Sequence, residues 1–158
     1  MRATISVLGL LLLAGAVSGA VIDADAATSQ NLNTHGSTCK NFNAAQALDI
    51  DYLTSGVRTI AGAARPVICA VERHPVNGPS QSFFVDGSNS GGASTSCTLS
   101  SFSNAGVFRD SESFTSGAAT YDQFVTLDPV DLFDYVSLLC TLPSNARGVL
   151  FGVTAIDN

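Results

Sequence analysis

The sequence predicts an all-β protein, a jelly-roll-like antiparallel sandwich of two sheets with about eight strands and one short N-terminal helical turn. Three observations carry this expectation. Apolar residues alternate with period 2 in short runs, most clearly over 134–143. There Val136, Leu138, Cys140 and Leu142 share one side, with Tyr135, Ser137, Leu139 and Thr141 on the other. The runs are spaced by clusters of Gly, Asn, Ser and Pro, as in a sandwich or barrel. Long helical patterns are absent, and a sandwich is preferred to a closed barrel.

Taken in order, residues 1–20 read as a secretory signal peptide. Arg2 is the only charge before Asp23, an apolar run covers 5–17, and Ser18-Gly-Ala20 offers the small residues a signal peptidase needs. The run is too short to cross a bilayer as a helix. Ala24-Asp25-Ala26 is a second possible cleavage point, and no cysteine follows the run to accept a lipid. Residues 21–38 are small, polar and aperiodic, and are expected to be a flexible N-terminus. A single domain is expected over 39–158.

Within it, residues 43–49 suit a helical turn, with Asn43 as N-cap and alanines behind it. Strands are expected at 56–60, 66–73, 81–86, 94–102, 107–114, 121–127, 134–143 and 149–156. His74-Pro-Val-Asn-Gly-Pro79 reads as a turn, because Pro fixes φ and Asn-Gly tolerates positive φ. Residues 87–92 read as a flexible loop. Phe108 and Phe114 share parity in the fifth strand with Asp110 and Glu112, which marks that strand as an edge. Pro143 closes the seventh, since a residue without an N–H cannot sit in a central ladder.

Four cysteines, Cys39, Cys69, Cys97 and Cys140, in an exported chain read as two disulfides. A four-thiolate metal site would use close pairs such as CxxC, and none occurs. Of three connectivities, Cys39–Cys69 with Cys97–Cys140 is favoured because Cys97 and Cys140 both face inward in mid-strand; Cys69 faces inward as well, so the preference is modest.

Seven basic residues face thirteen acidic ones, and Lys40 is the sole lysine. No basic run or aromatic-interleaved basic patch exists, which argues against nucleic acid or an anionic membrane as partner. No other segment is apolar enough to make an integral membrane protein. Asn-x-Ser/Thr is absent, so N-glycosylation is not expected.

Several segments together carry a resemblance: Gly56-Val57, Val67-Ile-Cys69, Phe84-Val-Asp-Gly87, Cys97-Thr-Leu99, residues 136–143, and Gly148-Val-Leu-Phe-Gly-Val153. Over about 36–156 the chain resembles a set of small secreted proteobacterial proteins with no assigned activity. The resemblance implies an exported bacterial product and the same strand layout, and brings no catalytic residue. Where that set often has Pro after its second cysteine, this chain has Ala70.

Motifs with chemistry are sparse. His35 and His74 are the only histidines, both in expected loops. Gly87-Ser-Asn-Ser-Gly91 fails as a nucleophile elbow, since the central position is Asn89. Asp86-Gly-Ser-Asn-Ser90 spaces oxygens as calcium sites do but lacks acidic density and a closing Glu, so no metal or other cofactor is assigned. Asp128, Asp131 and Asp134 read as a solvated connection, with Asp128 or Asp131 capping a helical turn. Asp110 and Glu112 on one strand face are the carboxylate pair open to hydrolytic chemistry.

The expectation is an exported, secreted or periplasmic, disulfide-stapled module that binds an extracellular protein or polysaccharide, with no reaction assigned. Asp86, Asn89, Tyr121 and Tyr135 are its binding candidates. A polysaccharide-binding module is the first alternative, and Trp is absent, which weakens it because sugars stack on Trp or Tyr. A hydrolase using carboxylates or a loop histidine is the second. An exposed aromatic strip across one sheet would favour polysaccharide; a cleft gathering His74 with carboxylates would favour catalysis.

Overall fold

In the computed structural model, residues 31–73, 81–128, 130–131 and 133–156 are described. The signal peptide, its cleavage points, residues 21–30, and the 74–79 turn with His74 lie outside them. Three short strands come first: β1 (Leu32–His35), β2 (Lys40–Asn41) and β3 (Ile50–Leu53). The eight expected runs follow as β4 (Gly56–Thr59), β5 (Arg65–Val71), β6 (Ser82–Asn89), β7 (Thr95–Phe102), β8 (Phe108–Ser116), β9 (Thr120–Thr126), β10 (Tyr135–Leu142) and β11 (Gly148–Ile156).

The first sheet runs β3-β4-β11-β6-β9, with β1 also on β11, and the second runs β2-β5-β10-β7-β8. Every pairing is antiparallel. Without β1 to β3, the orders β4-β11-β6-β9 and β5-β10-β7-β8 are those of an eight-stranded jelly roll. Inner faces meet in one core that includes Val57, Phe83, Val85 and Leu150 from the first sheet and Val67, Leu99, Leu138 and Leu142 from the second. Among the described residues no helix is long and apolar enough to cross a membrane.

Strand β10 is central to its sheet, paired over nearly its full length with β5 and β7. Cys97 lies directly opposite Cys140 across the β7–β10 ladder, and the two form a disulfide. Cys39 and Cys69 form the other, between the residue before β2 and mid-β5. All four sulfurs belong to the inner layer. Each bridge therefore ties neighbouring strands within the second sheet rather than one sheet to the other.

Residues 32–38 correct the expected flexible segment over 21–38. β1 pairs with β11 from Leu32↔Ala155 to His35↔Gly152, and a 3₁₀ turn (Gly36–Thr38) follows. The cause is a split edge on β11. Its N-terminal part takes β4, its C-terminal part takes β1, and the register shifts between Leu150 and Gly152. A Cβ on Gly152 would lie 2.5 Å from Thr34 O, and one on Gly36 would strike Leu150 O, so bare backbone is what lets this segment dock.

The turn at 43–49 is a 3₁₀ helix (Ala44–Asp49), and Asn43 Oδ1 accepts from Ala45 N at 3.0 Å. The loop expected at 87–92 shortens, because β6 continues through Asn89. Gly87 is not a turn residue: the Tyr121 ring lies where its Cβ would be.

Candidate functional site

Parity decides what each sheet shows to solvent. In β10, Tyr135, Ser137, Leu139 and Thr141 face outward. In β7 the outward set is Ser96, Thr98, Ser100 and Phe102. Tyr135 lies opposite Phe102, and Phe102 opposite Phe108, so three aromatic residues form one row across β10, β7 and β8. Phe102 and Phe108 meet edge to face with centroids 5.9 Å apart.

Sequence parity placed Phe108 with Phe114. The register shift between Ser101 and Phe102 passes over Arg109 and breaks that parity, sending Phe108 outward while Phe114 packs on the core. Phe133, two residues before Tyr135, completes the aromatic group. Tyr135, Phe133 and Phe108 are 65%, 69% and 57% exposed, far more than core packing would allow.

Beside this row lies a cleft of about 810 Å³ between Thr38 and Lys40 at one side and Phe133 and Tyr135 at the other. Its floor is largely apolar, built from Ile68 and Ala70 of β5. Its rim is held by arginines. Arg73 donates to the carbonyls of Asp134 (2.6 Å) and Asp131 (3.2 Å). Arg109 pairs with the Asp131 carboxylate (3.0 Å) and lies 3.8 Å from that of Asp134.

The connection expected to be solvated is thus pinned from both flanks, and Phe133 stands out from a fixed turn. Capping runs opposite to expectation. Asp134 supplies the carboxylate, and Asp131 N donates to it at 2.9 Å. Asp134 is also buried, its charge met by Arg109.

Towards the other end of this face the aromatic row gives way to hydroxyls. Ser137, Ser100 and Ser111 form the next row, then Leu139, Thr98 and Ser113. Thr141, Ser96 and Thr115 form the last. Thr98 Oγ1 and Ser113 Oγ are 2.8 Å apart, and Ser96 Oγ and Thr115 Oγ1 are 2.9 Å apart. A second hollow of about 300 Å³ lies over these two rows.

The remaining binding candidates separate from Tyr135. Asn89 is buried, accepts from Thr95 Oγ1 at 2.7 Å and donates to the carbonyls of Ser116 and Ala118, pinning the β8–β9 turn. Tyr121 is buried against Phe114, and burial pushes its phenol up to about 12. Its hydroxyl lies near that of Thr95, which itself donates to Asn89.

Asp86 lies on the outer face of the first sheet, opposite Asp122, next to the Phe84–Phe124 ring pair (5.2 Å). Its carboxyl is raised above the ordinary range, first by burial and then by the Asp122 charge and hydrogen bond. The oxygens of 86–90 do not converge, because strand alternation sends Asp86 outward and Asn89 inward. Among the described residues no three His, Cys, Asp or Glu side chains gather as metal ligands do.

His35 Nδ1 accepts from Ser37 N at 3.2 Å and caps the 3₁₀ turn. Asp110 Oδ2 accepts from Asp128 N at 2.8 Å, and Glu112 is exposed on edge strand β8. Phe102, Phe108, Phe133 and the cleft floor escaped the sequence reading. The available signal was an aromatic on the polar parity of a strand, at Phe102 as at Tyr135.

No family model matches the chain, and no curated protein does. Among solved structures it is similar to the CBM36-1 domain of a multidomain xylanase from the hindgut metagenome of Trinervitermes trinervoides. The TM-score is 0.51 at 11% identity, covering 82% of this chain and 98% of that domain. A second similarity, to an arabinose-bound α-L-arabinofuranosidase, has a TM-score of 0.35 at 10% identity and covers 78% of this chain and 26% of that one. At such identities the first likeness speaks for fold alone: this chain is a two-sheet antiparallel β-sandwich.

Proposed function

We propose that this chain is an exported bacterial polysaccharide-binding module, and that its ligand lies on the outer face of the second sheet. One observation carries the reading: Tyr135, Phe102 and Phe108 stand in one row beside an open cleft, with Phe133 exposed at its rim. Sugar rings present C–H faces that stack on aromatic rings, and a row on rigid strands holds several such contacts at once. Four exposed or half-exposed aromatic rings on this face offset the absence of Trp.

Three further observations support the reading. Asp134 is the one carboxylate residue lining the cleft among the described residues, and it is tied to Arg109, whereas general acid–base glycoside hydrolysis uses a facing pair. The fold is shared with a domain whose name records carbohydrate binding. Two disulfides suit a protein that works outside the cytoplasm.

The test is isothermal titration against soluble xylan, β-glucan, mannan, galactan and the charged polymer polygalacturonate, with wild-type protein and Tyr135→Ala and Phe133→Ala variants. We expect at least one polysaccharide to bind and each variant to weaken it by about tenfold, the loss of one stacking contact worth ~1.4 kcal/mol. Binding unchanged in both variants, or no binding across the panel, would overturn the proposal.

A further inference from the structure

Nine outward positions on β10, β7 and β8, three in each strand, follow the aromatic row in three in-register rows. Eight carry Ser or Thr, the ninth is Leu139, and none is charged. A solvated sheet face ordinarily carries Lys, Glu or Arg, whereas the exposed charges of β8 lie off these rows, Arg109 at the bulge and Glu112 opposite inward-facing Leu99. The hydroxyls pair across the strands at Thr98–Ser113 and Ser96–Thr115, which fixes their orientation and leaves each with capacity for further hydrogen bonds.

We infer that this hydroxyl grid is a second subsite, continuous with the aromatic row, for the interior of an uncharged linear polysaccharide. The inference rests on the polysaccharide reading above and deepens it. From the Tyr135 row to the Thr141 row the face runs ~20 Å along the strands, the length of about four pyranose units. The hollow over Thr98, Ser113, Leu139 and Thr141 continues the path past the aromatic row. A chain laid this way stacks at one end and exchanges hydroxyl hydrogen bonds over the rest.

Neutrality sets the class of ligand. Covering the grid desolvates no charge, and no side chain in it is placed to meet a carboxylate or an ammonium group. A protein partner fits poorly, because Ser is depleted at protein–protein interfaces and the nine include no Trp, Tyr or Arg, their one apolar residue being Leu139, a type under-represented among interface hot spots.

The experiment is titration of oligosaccharides of two to six units, cut from whichever neutral polysaccharide binds, into wild type, Thr98→Val/Ser113→Ala and Tyr135→Ala. Circular dichroism and melting confirm that each variant is folded. Wild-type affinity is expected to rise about tenfold from two units to five or six and then level off. The double variant is expected to lose that rise, and Tyr135→Ala to weaken binding at every length. If the double variant keeps the full rise while Tyr135→Ala weakens binding, the grid is not a subsite and the polysaccharide reading stands. If a charged polymer binds and every neutral one fails, the neutral-chain inference falls with the aromatic face intact. If no glycan binds the wild type, both readings fall.

Discussion

Two acids placed side by side on a sheet show how one residue can cost stability. Asp86 and Asp122 are directly opposite on β6 and β9, and like charges in that position repel. Asp86 holds its proton more readily folded than unfolded, chiefly because it is partly buried and then because of Asp122. The sign follows from proton linkage. Well above the raised folded value the Asp86 carboxylate is ionised and the cost is fully present. As pH falls through the raised folded value towards the unfolded value near ~3.9, the folded state takes up the proton first and the cost disappears. Asp86→Asn is therefore expected to raise stability by roughly 0.2–1 kcal/mol at pH 7, with the gain fading near pH 4. Thermal melts of both proteins at the two pH values check this, and an equal difference at both would contradict it.

At the scale of elements, β10 was the most legible because it is buried on its inner face along its full length and so keeps a strict period of 2. β1 and β2 were illegible. They are short and polar, and they are extended only because β11 and β5 offer edges to pair with. Phe108 was misplaced because a single skipped residue inverts every later face assignment, and parity cannot see a bulge. Gly87 looked like loop punctuation, yet it is a close approach beneath the Tyr121 ring.

The Cys97–Cys140 bridge belongs to this scale too. It closes a separation of 43 residues between adjacent strands. Replacing both cysteines by alanine is expected to cost about 4 kcal/mol through unfolded-state entropy. Urea unfolding measures it, and a loss below ~1 kcal/mol would show that the ladder alone holds β7 to β10.

Across the whole molecule, the jelly roll sets two outer faces against each other. The first sheet shows Phe84 with Phe124 beside the Asp86–Asp122 pair. The second shows the aromatic row, the cleft and the hydroxyl rows. Composition registered the missing Trp and the acidic balance but not this separation, because assembling the row takes three strands, a bulge and an arginine-pinned turn. Of the four sequence candidates, only Tyr135 stands in it. The most direct measurement is amide chemical-shift mapping of the ¹⁵N-labelled domain titrated with a bound oligosaccharide. Shifts are expected to cluster on the second sheet at Ala70, Ser100, Phe102, Tyr135 and Ser137. Shifts gathered instead around Phe84, Asp86 and Phe124 would contradict the placement of the site.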